Sequence, residues 1–285
     1  MKIAIVTDST CDWPYADFAA RRVSMVPLNV TFGAQTRRDL IDLSSEEFCR
    51  VLRAGEQGAT TSQPSPGAFA CLFEALYEQG FEAALCLHLA APLSGTVQSA
   101  SIAADGAPID VRVVDTRLAS SALGLAVDAA CRLRDEGVDD IDELQRRVER
   151  VCAETRVFFV PETLDALVRG GRLARAAAES MGMLNVKALL TLDEQGSVVF
   201  FDKARGLKGA VARCVEQLEA YADEHGPVDV RYARIENEEA AARLAEALDA
   251  SRADIASLHA DTCGATIATH LGLGAWCLAM APRVG

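Results

Sequence analysis

Apolar runs that alternate with helix-like segments constrain the first half of the chain more than any other feature. Strand-like runs occur at Ile3–Thr7, Val23–Phe32, Ala83–Leu87 and Val111–Val114, and helical patterns separate them. Consecutive strands that are separated by helices form βαβ crossovers, which place the strands parallel in one buried sheet. The first half therefore predicts a Rossmann-like lobe with a parallel sheet, whose ligands bind beyond the carboxyl ends of the strands.

The second half of the chain has a different pattern. A hairpin signal is present, in which Val186–Leu192 and Val198–Phe201 flank the turn residues Asp193–Gly196. Antiparallel strands within an α/β chain indicate a mixed sheet. We therefore predict an α/β fold, with an N-terminal Rossmann-like parallel-sheet lobe at residues 1–155 and a C-terminal α/β lobe with a mixed sheet at residues 156–285.

Charge and composition exclude several classes of function. The net charge is −13 and no cluster of Lys and Arg is present, so a nucleic-acid partner is not expected. The nine cysteines form no C-x-x-C pair, which favours reduced structural thiols, and no histidine pair has metal-ligand spacing. The chain opens with a strand rather than a signal peptide, and Ala265–Ala281 is short for a bilayer span. We expect a cytoplasmic protein without a transmembrane segment.

Two segments that are rich in hydroxyl groups stand before helices. They are Thr60–Gly67, with Thr61 and Ser62, and Leu93–Ala100, with Ser94, Gly95 and Thr96. Backbone N–H groups at a helix start, the helix dipole and hydroxyl donors together bind a carboxylate or a phosphate. An ordinary N-cap, with Ser65 before Pro66, explains the first segment equally well. Two such segments at one edge of a sheet favour an anion site.

Other candidate residues are each open to a structural interpretation. Asp8 and Ser9 follow the first strand, where they either orient neighbouring groups or form an Asx turn. His270 is predicted at the end of an apolar strand, where a core histidine is more common than a functional one. Arg172 and Arg205 are isolated basic spots, which suit a phosphate or docking contact as well as solvated surface.

Taken together, these segments resemble the DegV family, the bacterial fatty-acid-binding proteins that serve fatty acid kinase. The matching pieces run nearly from end to end, at Ile5–Thr10, Thr61–Ser65, Ser94–Ala100, Val114–Thr116, Gly170–Arg172, Leu184–Lys187, Lys203–Gly206 and Thr269–His270. Each piece is short, but their order and spacing over the whole chain carry the resemblance.

The resemblance implies that an acyl chain is buried between or within the two lobes, with its carboxylate held by Thr61 and Ser94 and with His270 close by. The expected ligand contacts are Thr61, Ser62, Ser94, Gly95, Thr96 and His270, with Asp8, Ser9 and Arg172 in support. Arg205 matches an arginine that is associated with the kinase. The expected partners are a long-chain fatty acid and a fatty acid kinase subunit, which forms the acyl-phosphate. The chain itself is expected to have no cofactor and no catalysis of its own.

Three alternatives remain open from the sequence. The first is a lipid-sensing regulatory module without a kinase. The second is a serine hydrolase that uses Ser94, His270 and an aspartate, although the G-x-S-x-G elbow is missing. The third is nucleotide binding, although neither G-x-G-x-x-G nor a P-loop follows the first strand. The chain also departs from the family after His270, where Leu271–Gly274 replaces the usual G-P-G turn, and only Asp39 matches the family's charged segment.

Overall fold

Three β-sheets organise the chain in the computed structural model, which describes residues 1–55, 58–175 and 186–284. The first sheet has the order β2 (Val23–Val26), β1 (Ile3–Asp8), β6 (Ala83–His88) and β7 (Asp110–Asp115). The second has the order β10 (Val198–Arg205), β9 (Val186–Leu192), β8 (Arg156–Val160), β13 (Trp276–Pro282), β11 (Val228–Arg234) and β12 (Ile255–Thr262). A small third sheet contains β4 (Gln35–Arg38), β3 (Asn29–Phe32) and β5 (Thr60–Ser62).

Helices cover these sheets. In chain order they are α1 (Tyr15–Ala20), α2 (Ser45–Arg53), α3 (Pro66–Glu78), α4 (Thr96–Ala104), α5 (Ser121–Asp135), α6 (Ile141–Glu154), α7 (Asp165–Arg169), α8 (Gly206–His225), α9 (Glu238–Asp249) and α10 (Ala265–Leu271). None of the helices within the described ranges is long and apolar enough to span a membrane.

The four-stranded sheet is parallel throughout, as predicted. All six residues of β1 and all six of β6 are buried, because helices cover both faces of the sheet. Val6 and Cys86 face α3 and α4, and Ile5 and Leu85 face the opposite side, where they join the main core. The predicted α/β class is therefore confirmed for the N-terminal half.

The single strand predicted at Val23–Phe32 is wrong. It is two strands in two different sheets, β2 and β3. Pro27 lies between them and has no N–H for a sheet hydrogen bond, so the strand ends and the chain turns away. β3 then pairs antiparallel with β4 and β5, so Thr60–Ser62 is a short strand and not only a loop before α3.

The six-stranded sheet is mixed, as predicted. Its β11–β12 pair is parallel, whereas its other pairs are antiparallel. The predicted hairpin is present as β9 and β10, and β10 continues four residues further than the sequence indicated, to Arg205. The class of fold is thus confirmed for both halves, whereas the division at residue 155 remains a prediction.

Helix α5 lies between the two large sheets and joins their cores. It contacts β1 and β6 of the parallel sheet and β8, β11 and β13 of the mixed sheet. Every residue from Ser121 to Cys131 is buried, as expected for a helix that is covered on all sides. One apolar cluster therefore includes Leu85 from the parallel sheet together with Cys277 and Ala279 from the mixed sheet. All nine cysteines are free thiols, and only Cys71 is exposed.

The predicted strand that ends at His270 is wrong. Residues Ala265–Leu271 form helix α10, and strand β13 follows after a loop. A short apolar run has no clear periodicity, so its sequence alone does not distinguish a helix from a strand. Gly272 ends the helix with a φ of 78°, a left-handed conformation that glycine adopts at little cost.

A buried ion-pair network connects α5 with the mixed sheet. Arg231 of β11 is 1% exposed, and its Nε and Nη1 donate to Asp128 and Asp261, both at 2.6 Å. Asp128 also pairs with Arg21, and the Arg231 guanidinium lies over the Trp13 ring. Because a buried charge is costly to leave unpaired, the network is sensitive to the loss of any member.

Replacing Arg231 with alanine should destabilise the protein by about 3–5 kcal/mol, because Asp261 would lose its ion-pair partner in the interior and Asp128 would keep only Arg21. Arg243→Ala is a matched control, because Arg243 pairs with Glu239 on the exposed face of α9. Removing this exposed pair should lower the free energy of unfolding by less than about 1 kcal/mol. Urea unfolding of both variants measures the free energies of unfolding. Similar losses in the two variants would contradict a structural role for the network.

Candidate functional site

A mostly apolar cavity lies between the two large sheets. Eleven of its sixteen lining residues are apolar, namely Leu28, Leu89, Leu93, Ala119, Phe159, Leu167, Leu190, Leu192, Val198, Ile267 and Leu271. The remaining five are Thr61, Ser94, Arg172, Thr266 and His270. A mostly apolar wall with a few polar groups is typical of a small-molecule site.

Four of the polar residues come from distant parts of the sequence. Thr61 lies on β5, Ser94 lies before α4, Arg172 follows α7, and His270 lies on the last turn of α10. The Thr61 Oγ1 and His270 Nε2 atoms are 2.8 Å apart, which is a hydrogen bond. The cavity therefore has polar groups whose types suit a carboxylate or a similar oxygen-bearing group.

The two hydroxyl-rich segments that the sequence singled out meet at this site. A Cβ atom on Gly95 would lie 2.9 Å from Nε2 of Gln63, so Gly95 packs against the Gln63 side chain and the two segments are in contact. The Ser94 Oγ and Thr96 Oγ1 atoms are 2.9 Å apart, and Thr96 is fully buried behind Ser94. The N-cap interpretation of Ser65 holds as well, because its hydroxyl accepts from the N–H of Ala68 at 3.2 Å.

The cavity wall includes Thr61 and Ser94 but not three of the other expected ligand contacts, Ser62, Gly95 and Thr96. Ser62 is exposed, and it points away from Thr61 because side chains alternate along β5. Gly95 contacts Gln63, and Thr96 contacts Ser94, so neither is part of the cavity wall. The contacts of Gly95 and Thr96 suit positioning of Ser94 more than contact with a ligand, whereas Ser62 faces solvent.

The imidazole of His270 is neutral at pH 7. Burial, together with the smaller effect of the nearby positive charge of Arg172, lowers the pKa of His270 to about 4. Its Nδ1 atom is buried and has no hydrogen-bond partner among the described residues. A Cβ atom on Gly170 would collide with Nδ1, so the absence of a side chain at position 170 makes room for the ring.

The tautomer of His270 determines whether the hydroxyl hydrogen of Thr61 is available to an acceptor in the cavity. A bare Nδ1 lone pair costs less than a buried N–H without an acceptor, so we assign the proton to Nε2. Nε2 then donates to Thr61 Oγ1, and the Thr61 hydroxyl keeps its own hydrogen for an acceptor in the cavity. A neutral histidine thus orients a hydroxyl donor.

Arg172 fixes the loop that carries Ser94. Its Nε and Nη2 donate to the carbonyl of Leu93 at 3.1 and 2.8 Å, and its Nη1 donates to the carbonyl of Gly170 at 2.6 Å. Burial lowers the pKa of Arg172, but an arginine remains charged at neutral pH. The guanidinium therefore adds positive charge to the cavity wall and joins the segments on either side of it.

Asp8 and Ser9 stand behind the cavity wall. Asp8 is fully buried, lies 2.9 Å from Nδ1 of His88 and accepts from the N–H of Leu89 at 3.1 Å. Ser9 accepts from the N–H of Leu28 at 3.1 Å. Leu28 and Leu89 line the cavity, so the two polar residues position its wall, and Asp8 also forms the Asx-type contact that the sequence allowed.

Two carboxylates that the sequence did not identify as site residues hold the helix of His270. Asp12 accepts from the N–H of Gly264 at 2.8 Å, and Asp39 accepts from the N–H groups of Ala265 and Thr266 at 2.9 and 3.3 Å. Burial raises the pKa of both carboxyl groups, and these hydrogen bonds oppose the rise. The match of Asp39 to the family's charged segment was the one sequence signal for this role.

Arg205 lies outside the cavity. It is exposed at the last position of β10, where it pairs with Val186.

The geometry of Ser94 and His270 does not support the hydrolase interpretation. Ser94 is hydrogen-bonded to Thr96, whereas His270 is hydrogen-bonded to Thr61. A serine nucleophile needs its base within hydrogen-bonding reach, and no Ser94–His270 hydrogen bond occurs among these described residues.

Fold and cavity together define an α/β protein with two large sheets and a mostly apolar cavity that has a polar end. A model described as "Uncharacterised protein, DegV family" matches residues 2–283, and the chain belongs to the DegV family. The predicted resemblance is confirmed, although Leu184 and Asn185 of one matching piece lie outside the described residues.

Relatives of known sequence or structure cover nearly the whole chain. A DegV domain-containing protein from Deinococcus radiodurans is 37% identical over 288 residues, which is 99% of each chain. Protein DegV of Bacillus subtilis is 33% identical over 283 residues, covering 97% of this chain and 99% of its own. The structure of that fatty acid binding protein superimposes with a TM-score of 0.90 at 32% identity, covering 99% of this chain and 100% of its own. A fatty-acid-binding DegV family protein from Thermus thermophilus superimposes with a TM-score of 0.92 at 34% identity, with the same coverage.

The pKa of His270 makes the stability of the protein depend on pH. The folded value is about 4 and the ordinary value is 6.5, so the unfolded chain binds more protons between these limits. The contribution is fully present above about pH 6.5 and is lost as the pH falls through about 4. We expect urea unfolding to show a smaller loss of stability from pH 7 to pH 5 in His270→Gln than in the wild type. A proton NMR titration that places His270 near 6.5 would contradict the assignment.

Proposed function

We propose that this chain binds a long-chain fatty acid, with the carboxylate at Thr61, Ser94 and His270 and with the acyl chain along the apolar wall. The observation that carries the proposal is the polarity of the cavity, whose hydroxyl groups and Arg172 interrupt an otherwise apolar lining. The fatty acid binding of the Thermus and Bacillus relatives supports the same ligand class.

The energetics of this ligand are favourable. Burial of about fifteen methylene groups, at about 0.8 kcal/mol each, contributes on the order of 10 kcal/mol. Desolvating the carboxylate costs several kcal/mol unless it is hydrogen-bonded. Hydroxyl donors from Thr61 and Ser94, together with the charge of Arg172, offset that cost. The tail therefore supplies affinity, and the polar groups fix the orientation.

We further propose that the protein presents the carboxylate to a kinase in the cytoplasm and has no catalysis of its own. A surface groove is lined by Thr61, Arg172 and His270, and it also includes exposed residues such as Arg169. A phosphate donor held by a partner protein has a path to the carboxylate through this groove. The pairing of His270 with Thr61 supports a binding role more than a hydrolytic one.

Removing the hydroxyl of Thr61 or Ser94 should weaken fatty acid binding by about 10- to 100-fold, because a hydrogen bond to a charged group contributes about 1.5–3 kcal/mol. The changes are Thr61→Ala and Ser94→Ala. Ser62→Ala is the matched control, because Ser62 neighbours Thr61 but is exposed, and we expect unchanged affinity. Titration of the delipidated protein with a fluorescent fatty acid measures all four affinities.

Thermal unfolding of the same variants separates loss of the site from loss of the fold. Wild-type affinity in both Thr61→Ala and Ser94→Ala would contradict the site assignment. Absence of any stoichiometric fatty acid, both in an organic extract of the purified protein and after loading, would contradict the proposed function. Ester hydrolysis that disappears in Ser94→Ala would instead revive the hydrolase alternative.

Arg205→Ala should lower acyl-phosphate formation by a fatty acid kinase subunit on the order of tenfold, which corresponds to about 1.4 kcal/mol, and leave fatty acid binding unchanged. Arg205 is exposed and stands on the edge strand of the mixed sheet, outside the cavity. Arg243→Ala serves as the control, because this arginine pairs with Glu239 on α9. Phosphate transfer from labelled ATP to the bound acid provides the measurement.

Equal rates for Arg205→Ala and the wild type would remove Arg205 from the kinase contact. Failure of the loaded wild-type protein to support acyl-phosphate formation with any fatty acid kinase subunit would favour the lipid-sensing alternative. In either case the binding measurements on Thr61 and Ser94 stand by themselves.

A further inference from the structure

The segment between β6 and α4 carries Ser94 to the cavity, and it contains neither helix nor strand. It runs from Leu89 to Gly95, and we call it the Ser94 segment. Because it pairs with no neighbouring strand, its backbone N–H groups need acceptors from other parts of the chain. A serine side chain is short, so the place of the Ser94 hydroxyl depends directly on how this backbone is held.

Acceptors for the Ser94 segment come from the strands on both sides of it. β6 lies between β1 and β7 in the parallel sheet, and each of these two strands ends in an aspartate. Asp8, at the end of β1, accepts from the N–H of Leu89 at 3.1 Å. Asp115, at the end of β7, accepts from the N–H of Ala91 at 3.2 Å. The two carboxylates therefore hold the start of the segment from opposite sides.

Thr116 adds a further contact from the β7 side. Its Oγ1 donates to the carbonyl of His88, the last residue of β6, at 2.7 Å, and accepts from the N–H of Leu118 at 3.2 Å. The carbonyl of Leu118 in turn accepts from the N–H of Ala90 at 2.9 Å. Thr116 is buried, which keeps water from replacing these contacts. Thr116 thus positions the carbonyl that holds Ala90.

Asp115 also fixes the turn that follows β7. Its Oδ1 atom, which accepts from Ala91, accepts from the N–H of Arg117 at 3.1 Å as well. Arg117 has a φ of 58°, a left-handed conformation that is uncommon for a residue with a side chain. One carboxylate oxygen therefore joins two chain segments, and its loss would release both of them.

The contacts of Asp115 require an acceptor and not a charge. Both donors to its Oδ1 atom are backbone N–H groups, and an asparagine amide oxygen accepts the same hydrogen bonds. A negative charge at this edge of the sheet repels an anionic ligand, so removal of the charge alone would strengthen binding. Weaker binding in an alanine variant would therefore have the opposite sign to the electrostatic effect.

We propose that Asp115 and Thr116 are positioning residues for Ser94, which hold its hydroxyl where it meets the carboxylate of the ligand. This inference rests on the proposed fatty acid binding. Neither residue belongs to the described wall of the cavity, so each acts through the backbone of residues 88–91. Asp115 thereby has the same role on one side of the Ser94 segment as Asp8 has on the other.

Asp115→Ala should weaken fatty acid binding about fivefold to tenfold, because the released N–H of Ala91 lets the Ser94 hydroxyl leave its place. Asp115→Asn should stay within about twofold of the wild type, because the acceptor is kept. Asp110→Ala is the matched control, since Asp110 stands at the other end of β7 and pairs with Arg112, and we expect unchanged affinity. Titration of the delipidated proteins with a fluorescent fatty acid measures these affinities, and thermal unfolding checks the fold of each variant.

A double-mutant cycle with Ser94→Ala separates positioning of Ser94 from a general loosening of the cavity. When Ser94 has no hydroxyl, Asp115→Ala should change the affinity by less than about twofold. Thr116→Val removes a hydroxyl at nearly constant volume and should show the same dependence on Ser94. This second variant keeps the test decisive where Asp115→Ala does not fold.

Three results would overturn the positioning role and leave fatty acid binding intact. They are unchanged affinity in the folded Asp115→Ala and Thr116→Val variants, equal losses with and without the Ser94 hydroxyl, and a loss in Asp115→Asn as large as that in Asp115→Ala. Wild-type affinity in Ser94→Ala would overturn the positioning role together with the site assignment. Binding of no fatty acid by the wild type would overturn the proposed function itself.

Discussion

The capping of one short helix by two buried carboxylates is the contact on which the polar part of the cavity depends. Asp12 and Asp39 belong to the N-terminal half, yet they accept the first N–H groups of α10, which lies in the C-terminal half. Gly264 lets both approach, because a Cβ atom there would lie 3.2 Å from each carboxylate oxygen of Asp39. The helix in turn brings Ile267 and His270 to the cavity. Without these caps, the start of α10 would bury N–H groups that have no acceptor.

The polar groups of the cavity are arranged to attract a carboxylate moderately rather than as strongly as possible. Arg172 already donates to two backbone carbonyls, so its charge is partly engaged before any ligand arrives. The hydroxyl of Thr61 is neutral and is oriented by a neutral His270. Such donors compensate the desolvation of a carboxylate, but they do not form the strong bidentate pair that a free arginine would offer. The geometry therefore orients a carboxylate without binding it through a bidentate ion pair.

Local signals in the sequence were sufficient for most elements and for two hydroxyl residues that line the cavity, Thr61 and Ser94. Fully buried strands such as β1 and β6 appear as continuous apolar runs, and the turn at Asp193–Gly196 marks the hairpin. The helix α10 was missed because its seven residues have no decisive periodicity, and its cap at Asp39 is 226 residues away in sequence. The Arg231 network was missed for the same reason, since its partner Asp128 is 103 residues distant. Pairings at such separations are properties of the folded chain and leave no local pattern.

The walls of the cavity come from both halves of the chain, which raises the question of how a ligand enters. Separating the lobes would expose α5, whose residues from Ser121 to Cys131 are buried, and would break the ion pairs of Arg231. Both changes cost far more than a local movement, because they open the shared core. The hairpin turn, by contrast, is held to the N-terminal lobe by one hydrogen bond from Arg117 and the contact at Gly196. Opening the edge of the cavity at this turn therefore disrupts fewer contacts than separating the two large sheets.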